Sequence, residues 1–243
     1  MVPERNNLGQ PVGPLVPNWR PPPAPAREIL TGHYCRLEPL DPVRHARELY
    51  RANQLDPDGR NWTYLSYGPF ADFAAYETWV NQWPAQTDPL FFVIVDLATQ
   101  QATGVASYLH IVPANGSIEV GHLNFSPLLQ GTRAATDAMY LMMRHAFALG
   151  YRRYEWKCNH LNAASRRAAQ RLGFSYEGLF RNAQVIKGRS RDTAWYSITD
   201  DEWPRLEPVL RRWLDPANFD AQGRQLLSLS RLTASLLRAA PRA

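Results

Sequence analysis

Apolar and polar positions change rhythm along this chain, and the changes divide it into elements. Three runs rich in β-branched and aromatic residues, 90–95, 104–111 and 117–125, are separated by the turn residues Ala98-Thr99 and Pro113-Ala114-Asn115-Gly116. They predict an antiparallel meander. Beyond it the stretch 124–151 starts like the end of a strand and continues with the longer period of an amphipathic helix. A strand over 153–158, a helix over 162–172 and strands over 174–186 and 192–198, joined by Lys187-Gly188-Arg189-Ser190, follow. An amphipathic helix near 202–214 and a Leu-rich segment over 226–237 come last.

Ahead of the meander, 34–38 reads as a strand, and Asp41-Pro42 carries the cap-and-proline start of a helix running to about Asn53. A loop over 56–69, rich in Asp, Gly, Pro and aromatic residues, leads to a second helix near 71–83 that stops at Pro84. Pro11, Pro14, Pro17, Pro21, Pro22, Pro23 and Pro25 make 1–30 an extended arm, since proline disfavours helix and sheet interiors alike. The pattern therefore predicts a mixed α/β domain over 31–203, the arm before it and a helical extension over 204–243.

Composition narrows the function. With 45% hydrophobic and 20% charged residues, the chain of 243 is globular and long enough for an ample core. A net charge of +5, without dense Lys/Arg runs, suits a phosphorylated small molecule as well as RNA. Cys35 and Cys158 lie far apart with no CxxC, so no metal site or disulfide framework is expected. No apolar run nears the roughly 20 residues that span a bilayer, and no signal-peptide pattern opens the chain, so the expectation is a cytoplasmic protein without a membrane partner.

Two constellations carry candidate chemistry. The first is Gln130-Gly131-Thr132-Arg133-Ala134-Ala135-Thr136. Starting the helix at Ser126 would put Gly131 in its interior at a cost of about 1 kcal/mol; starting it near Gly131-Thr132 leaves the first amides free and pointing into a cleft at the end of the meander. Such an end is an anion site, with small side chains letting a phosphate approach and Thr132, Arg133 and Thr136 able to add donors. The second is Asn162-Ala163-Ala164-Ser165 followed by Leu172-Gly173-Phe174, which as local structure is a capped helix closed by glycine.

Together these stretches, with Ile118-Glu119-Val120-Gly121-His122 before the loop and Arg191-Asp192-Thr193-Ala194-Trp195-Tyr196-Ser197-Ile198 near the end, resemble the acyl-CoA signatures of the GNAT acetyltransferase superfamily, in its RimJ/RimL-like branch. The resemblance spans roughly 32–203. It implies a GNAT-like mixed, mostly antiparallel central sheet flanked by helices, and an acetyl-CoA-dependent N-acetyltransferase in which a primary amine attacks the thioester directly in a ternary complex. Two positions depart from the superfamily's pattern: Arg133 stands where a glycine is usual, and Ala169 where many members carry a tyrosine acid.

The resemblance assigns roles. Gln130, Gly131, Thr132, Arg133, Ala134, Ala135 and Thr136 would hold the pyrophosphate. A backbone N–H in Leu123-Asn124-Phe125 would stabilise the oxyanion. Asn162 would hold the pantetheine amides, and Ser165, near the sulfur, would protonate the leaving thiolate. Glu119 is the first candidate for the base and His122 its competitor; by strict alternation they face opposite sides of the strand unless a bulge intervenes. Trp62, Tyr64, Tyr67 and Phe70 would cover the acceptor, with Trp156 and Trp195 as further lining. Arg166 and Arg167 read as a solvated helix face and Cys158 as core. The acceptor stays open between a small-molecule amine and a protein N-terminus, and a homodimer is compatible with the arm. Two rival functions remain: a non-catalytic acyl-CoA sensor, suggested by Ala169 and Arg133, and an RNA- or ribosome-associated protein, suggested by the Arg-rich stretches, with nucleic acid ranked last.

Overall fold

The computed structural model describes residues 4–238. In the arm, β1 (Glu4–Arg5) and β2 (Pro11–Val12) pair antiparallel, and Asn6 Oδ1 closes the turn by accepting from the amides of Leu8 and Gln10 at 2.9 and 3.0 Å. The arm docks further on. Trp19 lies so close over Gly116 that a Cβ there would stand 2.5 Å from the indole, and Pro22 is buried. The arm thus packs on the domain although it contributes little to the core.

β3 (Leu30–Thr31) and β4 (Cys35–Pro39) begin the main sheet. α1 (Pro42–Asn53) starts where Asp41 Oδ1 accepts from Val43 N at 2.9 Å, and α2 (Phe73–Val80) where Asp72 Oδ1 accepts from Ala75 N at 2.8 Å. These caps satisfy amides that have no acceptor inside the helix. β5 (Leu90–Asp96), β6 (Ala102–Val112) and β7 (Ser117–Phe125) form the expected meander. After α3 (Arg133–Ala148) come β8 (Arg153–Asn159), α4 (Ala163–Arg171), β9 (Ser175–Ile186), β10 (Arg189–Thr199), α5 (Trp203–Leu214) and α6 (Leu229–Thr233).

The eight strands run in the order β3-β4-β5-β6-β7-β8-β10-β9, and every neighbouring pair is antiparallel except β7 and β8. This is the mixed, mostly antiparallel sheet flanked by helices that the sequence implies. Continuous apolar strands suit it because both faces are covered there. On β5, Phe91, Val93 and Val95 turn toward α1 and α2, while Phe92 and Ile94 turn toward the core built on α3, α4 and α5. Leu206, Leu210, Trp213 and Leu214 of α5 belong to that second core, so the residues after 203 complete it.

Some boundaries differ from the pattern. β10 begins at Arg189 because 189–191 pair with 184–186 by hydrogen bonds while staying largely out of the core. α2 ends at Val80, short of Trp83, and the Leu-rich segment yields only the five residues of α6.

Beyond β7 the face that α1 and α2 cover elsewhere is charged. Glu119, Arg153, Glu155 and Glu177 point out of it with Lys157, linked in series: Lys157 Nζ lies 2.8 Å from both Glu119 and Glu155, and Arg153 reaches Glu155 at 2.6 Å and Glu177 at 2.5 Å. Alternation put these charges on one side of β8 while Tyr154, Trp156 and Cys158 entered the core.

Candidate active site

β7 and β8 are parallel partners only over Ser117–Val120 with Arg153–Trp156. From there they part, and residues 121–125 and 157–159 face each other without a ladder. Opposite β6 the register jumps: Val105 pairs with Asn124 but Ser107 with Gly121, so His122 and Leu123 together face Ala106. His122 sits at φ 51°, inside a β-bulge. The bulge corrects the strict alternation expected of this strand. Glu119 and His122 both lie on the side of α1 and α2, where His122 packs against Tyr67, Trp83 and Phe91, with ring centroids 5.6, 6.1 and 5.1 Å away.

At the foot of the cleft the chain turns sharply. Gly131 is left-handed at φ 72° with no atom within 4 Å of where a Cβ would stand, and Thr132 is the cap of α3. Starting the helix here removes the glycine from its interior. Thr132 Oγ1 accepts from Ala135 N at 3.2 Å and donates to Leu129 O at 2.7 Å. The amides of Gly131, Arg133 and Ala134 have no acceptor among the described residues. Small side chains, an open approach and aligned free N–H groups make a surface suited to a phosphate.

The side chains around it are already engaged. Arg133 stacks over Tyr34 at 4.3 Å and Phe219 at 5.4 Å, and the Thr136 hydroxyl, buried, accepts from Arg171 Nη1 at 3.0 Å. Gln130 Nε2 donates to Phe125 O at 2.8 Å and to Asn61 Oδ1 at 2.6 Å. Any anion held here therefore rests on backbone. Leu123 and Phe125 pack against the α3-side core. Asn124 is buried, and neither its Nδ2 nor the Ser126 hydroxyl has a partner among the described residues.

Across the cleft, Asn162 caps α4, its Oδ1 accepting from the backbone N of Ser165 at 3.0 Å. The Ser165 hydroxyl is left for other work. Its oxygen accepts from Trp156 Nε1 at 3.0 Å, which leaves its proton free to be donated, and it lies beside the Cys158 thiol. Burial pushes the Cys158 pKa up, so this sulfur stays a thiol. Ala169 is fully buried one turn later.

Glu119 is buried, and its Oε2 is shared by Lys157 Nζ at 2.8 Å and His110 Nδ1 at 2.6 Å, while Oε1 turns toward Gly121. The bond to Glu119 holds His110 above the ordinary histidine range. Burial works against the Lys157 ammonium, but Glu119 and Glu155 outweigh it and keep its pKa high. His122 is pushed down by burial, with Glu119 opposing, so it is neutral at pH 7. Its Nδ1 lies 3.1 Å from the hydroxyl of Tyr67, whose own pKa burial raises.

The loop between α1 and α2 closes over this face. Asn61 Nδ2 donates to Phe125 O at 2.9 Å, Tyr64 OH to Leu161 O at 3.2 Å, and Lys187 at the β9–β10 tip reaches Trp62 O at 2.7 Å. Trp62 and Phe70 pack edge to face at 5.3 Å as part of the α1/α2 core, so they support the loop more than they line the cleft. Trp195 lies under the Lys157 ammonium at 4.0 Å. Arg167 is exposed as expected, whereas Arg166 reaches Tyr196 OH at 3.3 Å and His160 O at 3.4 Å. Sequence reasoning missed His110, Lys157, Arg191 and Asn61; the alternation of Arg153, Glu155 and Lys157 was the available signal for one of them. Among the described residues no group of three or more His, Cys, Asp or Glu could hold a metal ion, and no helix is long and apolar enough to cross a membrane.

A sheet that opens between two parallel neighbours above a helix start is matched by family comparison: residues 35–175 fit the acetyltransferase (GNAT) domain. The chain belongs to the GNAT acetyltransferase family. It is similar to a GCN5-related N-acetyltransferase from Brucella melitensis, with 44% identity over 90% of this chain and 100% of that one and a TM-score of 0.88. A probable GNAT-family acetyltransferase from Chromobacterium violaceum ATCC 12472 shares 43% identity over 80% of this chain and 98% of its own, at a TM-score of 0.75. The microcin C7 self-immunity acetyltransferase MccE, solved with acetyl-CoA and AMP, shares the fold at 22% identity, covering 68% of this chain and 92% of that one with a TM-score of 0.61. No curated protein matches the chain. GNAT acetyltransferases use acetyl-CoA, so this chain is an acetyl-CoA-dependent acetyltransferase by family.

Proposed function

We propose that this GNAT enzyme acetylates a primary amine by direct attack on acetyl-CoA, in the manner of the RimJ/RimL-like branch. The parting of β7 from β8 above the Gly131–Thr132 turn carries this reading. Acetyl-CoA suits that space: free amides at Gly131, Arg133 and Ala134 meet the pyrophosphate, and unpaired polar atoms on Asn124 and Ser126 line the strand end. Asn162 and the open edges of β7 and β8 would take the pantetheine amides. A backbone N–H of 123–125 would receive the developing oxyanion, where a fixed dipole needs no reorganisation.

Proton traffic uses two sides of the cleft. On the acceptor side Glu119 Oε1, or neutral His122, takes the ammonium proton, directly or through water. On the other side Ser165 gives its proton to the departing thiolate. A covalent route through Cys158 is disfavoured by the raised pKa of its thiol. The test is release of free CoA thiol from acetyl-CoA across a panel of amines. Stabilisation by CoA without transfer to any amine would identify a sensor instead.

A further inference from the structure

Three same-face positions on β10, Arg191, Thr193 and Trp195, share an unusual feature. Arg191 Nε, Thr193 Oγ1 and Trp195 Nε1 are all buried and have no hydrogen-bond partner among the described residues. Thr193 is 5% exposed, so its hydroxyl has little access to bulk water. Orphaned polar atoms cost free energy, and three in a row along one strand face form a pattern.

Arg191 is the odd cation of this surface. Arg153 and Lys157 each touch two carboxylates, while Arg191 has no acid within ion-pair distance among the described residues. Glu119 acts on it from further away and is already shared by Lys157 and His110. Burial lowers the Arg191 pKa, so the guanidinium sits where its charge is poorly solvated. Thr193 pairs with Asn159 and Trp195 with Lys157 on β8, one strand from the cleft, beneath the tip that Lys187 ties to Trp62 O.

We infer that Arg191, Thr193 and Trp195 anchor an anionic group of the acceptor, so that the amines acetylated here carry a carboxylate or a phosphate. All three groups can donate, and a group that only accepts complements them; the guanidinium fork adds the geometry that carboxylate and phosphate oxygens match. Phe180, 5.1 Å from Trp195 and largely exposed, offers an apolar wall beside the anchor. An acceptor with positive charge alone would place it near Arg191. This inference rests on the acetyl-transfer reading and selects among its acceptors.

The experiment uses matched amines: phenylalanine against phenylalanine amide, and O-phosphoethanolamine against ethanolamine. Each is titrated calorimetrically into the CoA-saturated full chain and assayed separately for acetyl transfer. In the wild type the member bearing the carboxylate or phosphate should, in at least one pair, bind and react about 10- to 100-fold better than the partner lacking it, the range for a charged hydrogen bond; the two pairs separate carboxylate from phosphate. Arg191→Gln should erase the preference, mainly through KM, and Arg191→Lys should recover part of it. Acetyl-CoA should raise the Tm of all three proteins alike, showing that fold and cleft survive. Equal binding and turnover within both pairs, or an equal loss for both members in Arg191→Gln, overturns the anchor. If acetyl-CoA neither stabilises nor reacts, acetyl transfer falls, and the anchor still stands or falls on the calorimetric preference.

Discussion

Replacing Ser165 by alanine separates chemistry from packing, because the structure specifies what else the hydroxyl does. It does not cap α4: Asn162 does, through the backbone N of Ser165. Its oxygen accepts from the indole N–H of Trp156 at 3.0 Å, in a ring that is 4% exposed, and the Cys158 thiol lies beside it. Ser165→Ala therefore strands one buried donor, at about 1–3 kcal/mol. For a chain of this size each kcal/mol moves Tm by about 2–4 °C, so the loss should be roughly 2–12 °C. If Ser165 protonates the thiolate, kcat should also fall about 10²–10⁴-fold, equivalent to about 3–5 kcal/mol of barrier, with the KM for acetyl-CoA nearly unchanged. Ser165→Thr keeps a hydroxyl and should retain far more activity. Trp156→Phe removes the donor without removing the acid, so it should lose stability and keep kcat within a few-fold. Thermal unfolding and thiol release on the same preparation read both quantities. Wild-type kcat per folded molecule in Ser165→Ala would refute the assignment and leave the hydroxyl as a partner for Trp156 alone.

Other perturbations have equally definite expectations. Acetyl-CoA should raise Tm, and Arg133→Glu should weaken that rise by placing negative charge at the helix end; equal rises across a CoA titration would remove residue 133 from the site. Gly32→Ala would put a Cβ 2.3 Å from Asp137 Oδ2, which accepts from Tyr34 N at 2.7 Å, so urea unfolding should show a loss of about 1–3 kcal/mol, and an unchanged midpoint would contradict that packing. Burial holds the folded-state pKa values of His45, His122 and His145 below the ordinary value. In that window the unfolded chain binds more protons, so stability should rise with pH through it and fall as pH drops from about 6.5 toward the depressed values. His110, raised by Glu119, acts in the opposite sense above that window. Urea midpoints at pH 7.5 and 5.5 check the net direction, and His122→Gln should flatten the slope.

The helix start at Thr132 was legible because a glycine in a helix interior carries a local cost, and the meander was legible from its turn residues. The bulge at His122 was not. Gly121 stands beside it, but a glycine inside a strand leaves open which side chain is turned; that follows from where β6 and β7 lock, a nonlocal pairing that one strand's pattern does not contain. Alternation therefore separated Glu119 from His122, and the structure brings them to one face. Arg191 was hidden for a related reason: the apolar run begins at Asp192, while the strand, held by hydrogen bonds to β9, starts at Arg189. Arg166 stays partly solvated as the helix face implied, but charge alone does not reveal its bond to the Tyr196 hydroxyl of β10. The pairing of Glu119 with Lys157 lay in the alternation of β8, but only the parallel register of Glu119 with Glu155 brings the two strands' charges together.

The opening between β7 and β8 also bears on how the molecule breathes. An eight-stranded sheet ordinarily protects its central amides best from hydrogen exchange, because opening them requires sub-global unfolding. Here two free edges lie at the centre, over 121–125 and 157–159, joined only by the short parallel segment beside them. Those facing amides should exchange at rates typical of a sheet margin while β5 and β6 stay slow. A ligand laid along the gap and bonded to both edges would behave as a missing strand, and the resulting protection pattern would report its presence at single-residue resolution, whether or not any acetyl group is transferred.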